Sequence, residues 1–418
     1  MASPTQGPAP ILFVHEGLDW IRGSERCLLD LVERLDRSRY RPIVWCNAPT
    51  LARAARAVGA EVHLARTTPV VPGAFPVHRA LVRVARGLIA RHGVRLIHAN
   101  ALDPLPALVA AARSARIPIA THMHLIPTEP ERRWTLAHQV TLAVGVSRAS
   151  VAGLLQDGMP AERTTVIYNG VDGERLAHGS AAGLRAELGI PAGSTVATVV
   201  ASLIARKGID VAIDAVGQAV AAGRDVHLLV CGDGPNEELL RRRAADRGLA
   251  GRAHFLGQRT DVGPILRDAS DLLVSAARLE AFPLNLLEAG ECAVPVVVSD
   301  IAPHIEAVED GVTGFVVPTD DTAAFAAAVI RLADDPELRR RLGAAAQARV
   351  RTRFSFARWL ADFDAAYTRL LAIPASDHGW VRGSSWPPVY TAWLRSAVAR
   401  RAGRLTHAAL GRTRLAGS

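Results

Sequence analysis

From residue 11 to about residue 364, short apolar runs rich in β-branched residues alternate with longer alanine- and leucine-rich segments of helical period. An apolar run without internal polar alternation suits a strand buried on both faces, and the longer segments between the runs suit crossover helices. Strands are expected at 11–14, 41–46, 61–65, 95–98, 117–121, 140–146 and 164–167 in the first half, and at 195–201, 226–230, 252–256, 271–275, 295–299 and 314–317 in the second. The regular alternation predicts an α/β fold with two parallel sheets. Between the halves lies NGVDGERLAHGSAAG, rich in Gly and polar residues, which reads as the interdomain connection. Two open α/β domains facing each other would place a ligand at the carboxyl ends of their strands. The expected bounds are 1–175 and 176–354 for two Rossmann-like domains, 355–373 for a helix crossing back to the first, and 374–418 for a basic tail.

Composition supports this picture and narrows it. The chain has 418 residues, 49% of them hydrophobic and 21% charged, which suits two or three domains with real cores and excludes disorder. Its four cysteines, Cys27, Cys46, Cys231 and Cys292, form no C-x-x-C pair, so neither a disulfide framework nor a zinc cluster is expected. The start MASPTQGPAP lacks a basic leader region, and no stretch approaches the roughly 18 apolar residues of a membrane span, so a soluble cytoplasmic protein is expected.

A net charge of +9 invites a nucleic-acid reading, but its distribution opposes one. Residues 374–418 hold seven arginines against one acid, a charge of +6, which leaves only +3 for the rest of the chain. In the tail, Trp380, Trp386 and Trp393 accompany aliphatic and arginine positions at helical spacing. Such a segment suits the anionic inner face of a membrane, a partner, or a solvated tail.

Candidate chemistry concentrates in the second half. In VVASLIARKG a strand runs out into Arg206, Lys207 and Gly208 before a helix begins near Ile209. Lys207 is the only lysine in the chain, which hints that an ammonium is required there. Two cations at a strand end and helix start form either a diphosphate site or an exposed basic pair at a turn. Downstream, Glu280 lies in the loop AARLEAF and Glu288 in the following helix, which is expected to open with Pro283 in its first turn. Eight helical steps would span about 12 Å, the reach of a sugar diphosphate joined to a ribose. Two helix-associated glutamates of no special function are the alternative.

Taken in order, RGSERCLLDL, THMH, VGVSRASVAGLL, VIYNGVD, RKG, LLVCGDGP, FLGQRTDVGPIL, EAFPLNLLEAGECAVPVVVSD and GVTGFVVP resemble the family 4 retaining glycosyltransferases of GT-B fold, over nearly all of residues 11–370. The resemblance implies that Arg206 and Lys207 bind a donor diphosphate, Glu280 contacts the sugar and Glu288 the ribose. Phe282, Pro283 and Leu284 would form the donor-side loop, and Gly257 and Gln258 would lie near the base. Gly23 would let the first loop approach the phosphate, and His124 or His122 would line the sugar pocket from the other domain.

Some positions depart from the family pattern. Arg22 precedes Gly23 where two glycines are common, Ser202 stands in place of an early arginine, and Pro283 and Ala293 replace frequent glycines. The one D-x-D, Asp362 and Asp364, falls in a helical pattern and reads as a solvated face, so no catalytic metal and no cofactor is expected. CGDGP lacks the third glycine of a dinucleotide fingerprint and reads as a tight turn.

The expectation is a retaining transferase that moves a hexose from a nucleotide diphosphate sugar to a hydroxyl of a glycan or lipid-linked acceptor. The alternatives are a nucleotide-sugar epimerase of the same architecture and a non-catalytic nucleotide-sugar or glycan-binding protein. Residues 66–76 and 125–133 are candidates for the acceptor surface.

Overall fold

The computed structural model describes residues 7–67 and 75–375. Among them the chain forms two compact units. One comprises the residues up to Ile167 and from Asp362 on, and the other is Tyr168–Ala361. The first boundary follows the last strand of the first unit, so the stretch 169–183 belongs to the second and carries the helix Gly173–Ala177, capped by Asp172.

The first unit holds β1 (Ala9–His15), β2 (Tyr40–Cys46), β3 (Glu61–Leu64), β4 (Leu96–Ala99), β5 (Ile119–Met123), β6 (Leu142–Gly145) and β7 (Thr164–Val166). They form one parallel sheet in the order β3-β2-β1-β4-β5-β6-β7. Leu12, Val14, Ile43, Trp45 and Ile97 share a core with Leu105, Leu108 and Met123. Helices cover both faces of the central strands, which therefore read as apolar runs, while the edge strand β3 (EVHL) keeps Glu61 and Leu64 exposed.

The second unit holds β8 (Thr195–Val200), β9 (Val226–Cys231), β10 (Ala253–Gly257), β11 (Leu272–Ser275), β12 (Val296–Ser299) and β13 (Gly314–Val317). Its parallel sheet has the order β10-β9-β8-β11-β12-β13. Val199, Ile213, Val216, Leu228, Val230, Leu272, Val297 and Phe325 pack in its core. In both sheets the chain winds outward from one strand and then returns to that strand's other side. The crevice opened by this reversal lies at the carboxyl ends of β1 and β4 in the first unit and of β8 and β11 in the second.

Three local expectations change. The helix after β11 runs Leu284–Glu291, with Pro283 as an extended cap at φ −86° and ψ 106° instead of a first-turn residue. Only four of the eight steps from Glu280 to Glu288 are therefore helical, and the 12 Å rise does not apply. The pair Asp362 and Asp364 is also not simply a solvated face. The last helix, Phe356–Leu371, rejoins the first unit at Asp362, where the Asp364 carboxylate accepts from Arg39 and from the Tyr40 hydroxyl at 2.8 Å. In CGDGP, a Cβ on Gly232 would stand 1.9 Å from the Ala201 carbonyl oxygen, so this glycine serves close approach of two loops.

Candidate functional site

After β8 the chain enters a tight turn, Ala205–Lys207, and reaches Gly208 at φ +63° before the helix Ile209–Ala221. A Cβ on Gly208 would lie 1.8 Å from the Ala276 carbonyl oxygen, so the turn bearing Lys207 seats directly on the loop that follows β11. Arg278 ties the two loops together. Its amide donates to the Arg206 carbonyl at 2.8 Å, and its guanidinium donates to the Ala205 carbonyl at 2.7 Å, to Asp210 at 2.8 and 3.0 Å and to Asp320 at 2.7 Å. Topology thus brings two distant segments to one point, and three expected residues meet there. Lys207 donates to the Glu280 carboxylate, and Arg206 reaches the same carboxylate at 3.5 Å while donating to the Leu279 carbonyl at 3.0 Å. Glu280 is 11% exposed and Lys207 16%, whereas Arg206 is 47% exposed.

The helix Leu284–Glu291 is anchored across the same crevice by Asn285, whose amide donates to the Val200 carbonyl at the end of β8, at 3.1 Å. The Phe282 ring is buried against Tyr168 and Phe354, with centroids 5.2 and 5.6 Å away. Its side chain therefore holds the donor-side loop down onto the second unit. Pro283 is buried, while Leu284 and Glu288 are half-buried. Gly257, at φ +66°, ends β10 and accepts the Gly232 amide at 2.8 Å, with Gln258 exposed beyond it. Because β10 is three strands from β11, these residues lie roughly 14 Å along the same carboxyl edge.

Sequence reasoning missed Arg278, Asn285 and His304. None carries a spacing signal, since each acts through a partner distant in the chain. His304 is fully buried, and its Nδ1 lies 3.1 Å from the Ser299 carbonyl. Burial holds its pKa down to about 4, with the Glu280 charge opposing and the Lys207 charge adding to the effect.

The first unit gathers polar residues at the ends of β1, β4 and β5. Gly23 is exposed and opens the helix Gly23–Arg34. Glu25 of that helix accepts the Arg22 amide at 3.0 Å and lies 2.9 Å from His15 Nε2. Asn100 connects His15, 3.0 Å from Nδ1, to His124, 3.0 Å from Nε2. Of the two candidate histidines only His124 retains exposed surface. His122 is buried at 1% exposure with both ring nitrogens unpartnered, its ring centroid 4.0 Å from that of His124. Burial pushes His124 down to about 3. Among the described residues no group of three or more His, Cys, Asp or Glu is arranged to hold a metal ion.

Two family models match the chain, "Glycosyltransferase Family 4" over residues 21–175 and "Glycosyl transferases group 1" over residues 182–349. The first takes in β2 to β7 and the second β8 to β13. The chain belongs to the family 4 glycosyltransferases, and its two parallel-sheet domains match solved glycosyltransferase structures of GT-B type.

Among curated relatives it is 32% identical over 223 residues to the alpha-D-kanosaminyltransferase of Streptomyces kanamyceticus, covering 51% of this chain and 58% of that one. It is also 32% identical over 226 residues to the phosphatidyl-myo-inositol mannosyltransferase of Mycolicibacterium smegmatis, covering 52% and 50%. The chain thus spans about half the length of the curated relatives it matches. Among solved structures, Anabaena HepE in complex with UDP and glucose is 25% identical with a TM-score of 0.75, over 86% of this chain and all of that one.

Proposed function

We propose that the protein is a retaining glycosyltransferase that moves a hexose from a nucleotide diphosphate sugar to a hydroxyl of a glycan or lipid-linked acceptor. The observation that carries this reading is the meeting of Arg206, Lys207 and Glu280 at the crevice between β8 and β11. Two fixed cations beside one carboxylate leave a net positive charge where a diphosphate can bind. As the glycosidic bond breaks, negative charge grows on the leaving phosphate, and cations already in place stabilise it without reorganising.

In this reading Arg206, Lys207 and the start of the helix Leu284–Glu291 hold the diphosphate, and Glu288 takes the ribose. Pro283 and Leu284 set the helix entry, and Gly257 and Gln258 border the base. Glu280 orients sugar hydroxyls and is not assigned as a covalent nucleophile. The acceptor hydroxyl attacks the oxocarbenium-like sugar on the face from which the nucleotide diphosphate departs, which retains configuration. Cationic side chains, with no metal ion, carry the developing charge.

The Anabaena neighbour's UDP and glucose support a nucleotide-hexose donor, and the transferase names of the curated relatives support transfer over epimerisation. Incubation with UDP-glucose and GDP-mannose in the presence of a chelator should release UDP or GDP, and proton NMR of the product should show the donor's anomeric configuration. Binding without release would leave a non-catalytic nucleotide-sugar binder. Recovery of an isomerised nucleotide-sugar would indicate an epimerase.

The basic tail supports a place on an anionic membrane surface, beside a lipid-linked acceptor. Residues 376–418 lie outside the described residues, as do 68–74 of the acceptor-surface candidate 66–76. No helix among the described residues is long and apolar enough to cross a membrane. Co-sedimentation with anionic vesicles at low salt, lost on removal of 374–418, would support the assignment. Indifference of the full chain to such vesicles would end it.

A further inference from the structure

A chain of hydrogen bonds in the first unit determines which nitrogen of His124 carries its proton. It starts at Glu25, 4% exposed, on the helix that follows β1. Burial alone would raise the pKa of this carboxyl, but its hydrogen bonds with His15 and with backbone N–H groups, that of Arg22 among them, outweigh burial and hold it below the ordinary value. As a carboxylate, Glu25 can only accept, so His15 Nε2 donates to it at 2.9 Å. His15 Nδ1 is then an acceptor and takes the Asn100 Nδ2 proton at 3.0 Å.

A second acceptor-only group checks the orientation of the Asn100 amide. Its Nδ2 also donates to the Ser24 carbonyl at 3.2 Å, and turning the amide over would set two oxygens against each other. Asn100 Oδ1 must therefore accept from His124, and His124 Nε2 donates to it at 3.0 Å. Each link follows from the one before, and two groups that cannot donate, the Glu25 carboxylate and the Ser24 carbonyl, fix its direction. With its proton on Nε2, His124 presents Nδ1 as a bare lone pair. His124 is the half-buried member of the set, just beyond the end of β5.

We propose that Glu25, His15 and Asn100 form a positioning relay that locks His124 in the Nε2–H form, so that its Nδ1 accepts a hydrogen bond from a hydroxyl of a bound sugar. The proposal rests on the glycosyltransferase reading for its ligand but not for its tautomer. A lone-pair nitrogen recognises a hydroxyl donor and rejects a phosphate or carbonyl oxygen, which can only accept. His124 therefore belongs to sugar recognition and not to diphosphate binding. His15, Glu25 and Asn100 act through it as positioning residues, much as a carboxylate elsewhere sets a histidine's tautomer and ring orientation.

Histidine-selective 15N NMR of the full chain tests the relay, with the His124 signals assigned from a His124→Gln variant. Wild-type His124 should show a protonated Nε2 and an unprotonated Nδ1, and the reverse pattern would overturn the relay. Adding UDP-glucose or GDP-mannose should shift the Nδ1 resonance beyond any change caused by UDP or GDP alone. If a nucleotide-sugar binds and Nδ1 does not respond, the sugar contact is overturned.

Glu25→Gln keeps the shape and can still cap the Arg22 amide, but its amide can donate to His15, so the carboxylate that holds the His15 proton on Nε2 is lost. It should lower turnover by about tenfold or more while leaving UDP or GDP affinity within about twofold. An unchanged tautomer together with unchanged turnover would overturn the relay. If neither nucleotide-sugar binds nor reacts, the glycosyltransferase reading fails, and the wild-type tautomer pattern still judges the relay separately.

Discussion

Lys207 and Glu280 lie 73 positions apart in the chain, yet the ammonium of one donates to the carboxylate of the other at the crevice where the second sheet reverses its winding. Their meeting has two causes. β8 and β11 are paired neighbours, and Gly208 removes the Cβ that would hold their outgoing loops apart.

Lys207→Ala should leave the fold intact and reduce transfer by about a hundredfold or more, because an ammonium facing a leaving diphosphate acts chiefly in the transition state. Steady-state rates and circular dichroism of the purified variant check this together. Activity within about threefold of wild type, under ~1 kcal/mol of barrier, would remove Lys207 from the phosphate site.

Glu280→Gln and Glu288→Gln should differ in kind. The first loses the negative charge and one of the two acceptor oxygens that face Arg206 and Lys207, and should lower kcat strongly. The second, half-buried on the helix, should mainly raise KM for the donor and weaken free-nucleotide binding. Calorimetry with UDP or GDP separates the two effects. Equal and small changes in both variants would return these residues to ordinary helix-associated glutamates.

Ala293→Gly should stabilise the second unit. Ala293 follows the helix Leu284–Glu291 and its cap Cys292 at φ +58°, a left-handed position that side chains disfavour, and its amide bonds back to the Gly290 carbonyl at 2.9 Å. Glycine adopts this conformation without the Cβ penalty, a gain of about 1 kcal/mol, or roughly 2–4 °C in Tm for a domain of this size. An unchanged or lower melting temperature would contradict this account.

Acid should destabilise the protein before its carboxylates titrate. Burial pushes His98 to about 3, His304 to about 4 and His122 well below its ordinary value. The unfolded chain regains the ordinary value near 6.5, so between that pH and the lower folded values the unfolded state binds more protons. Stability is then full above about pH 6.5 and falls as pH drops, by at most about 1.4 kcal/mol per pH unit for each histidine. Thermal melts at pH 7, 6 and 5 should show a steady fall in Tm, and a flat profile over that range would refute the assignment.

The thirteen strands were legible in the sequence to within two residues; the central ones because a strand buried on both faces must be apolar throughout, and partly exposed ones such as β3, β7 and β10 because turn residues punctuate them. Lys207, Glu280 and Glu288 were legible for a different reason. Each follows a strand in a loop or helix, where residue type and position mark a candidate, and the structure brings Lys207 and Glu280 together. The helix start was misplaced because proline suits both a first-turn position and the cap before it. The inward packing of Phe282 was not legible, because nothing local records that Tyr168 and Phe354 enclose its ring.

Arg278, Asn285 and the link from Glu25 through His15 and Asn100 to His124 could be found only in three dimensions. Their roles depend on which strand lies beside which and on which neighbouring group can only accept. Period and composition determine where strands and helices form. Sheet order, decided by how the two layers of helices bury both faces of each sheet, determines which side chains share a proton.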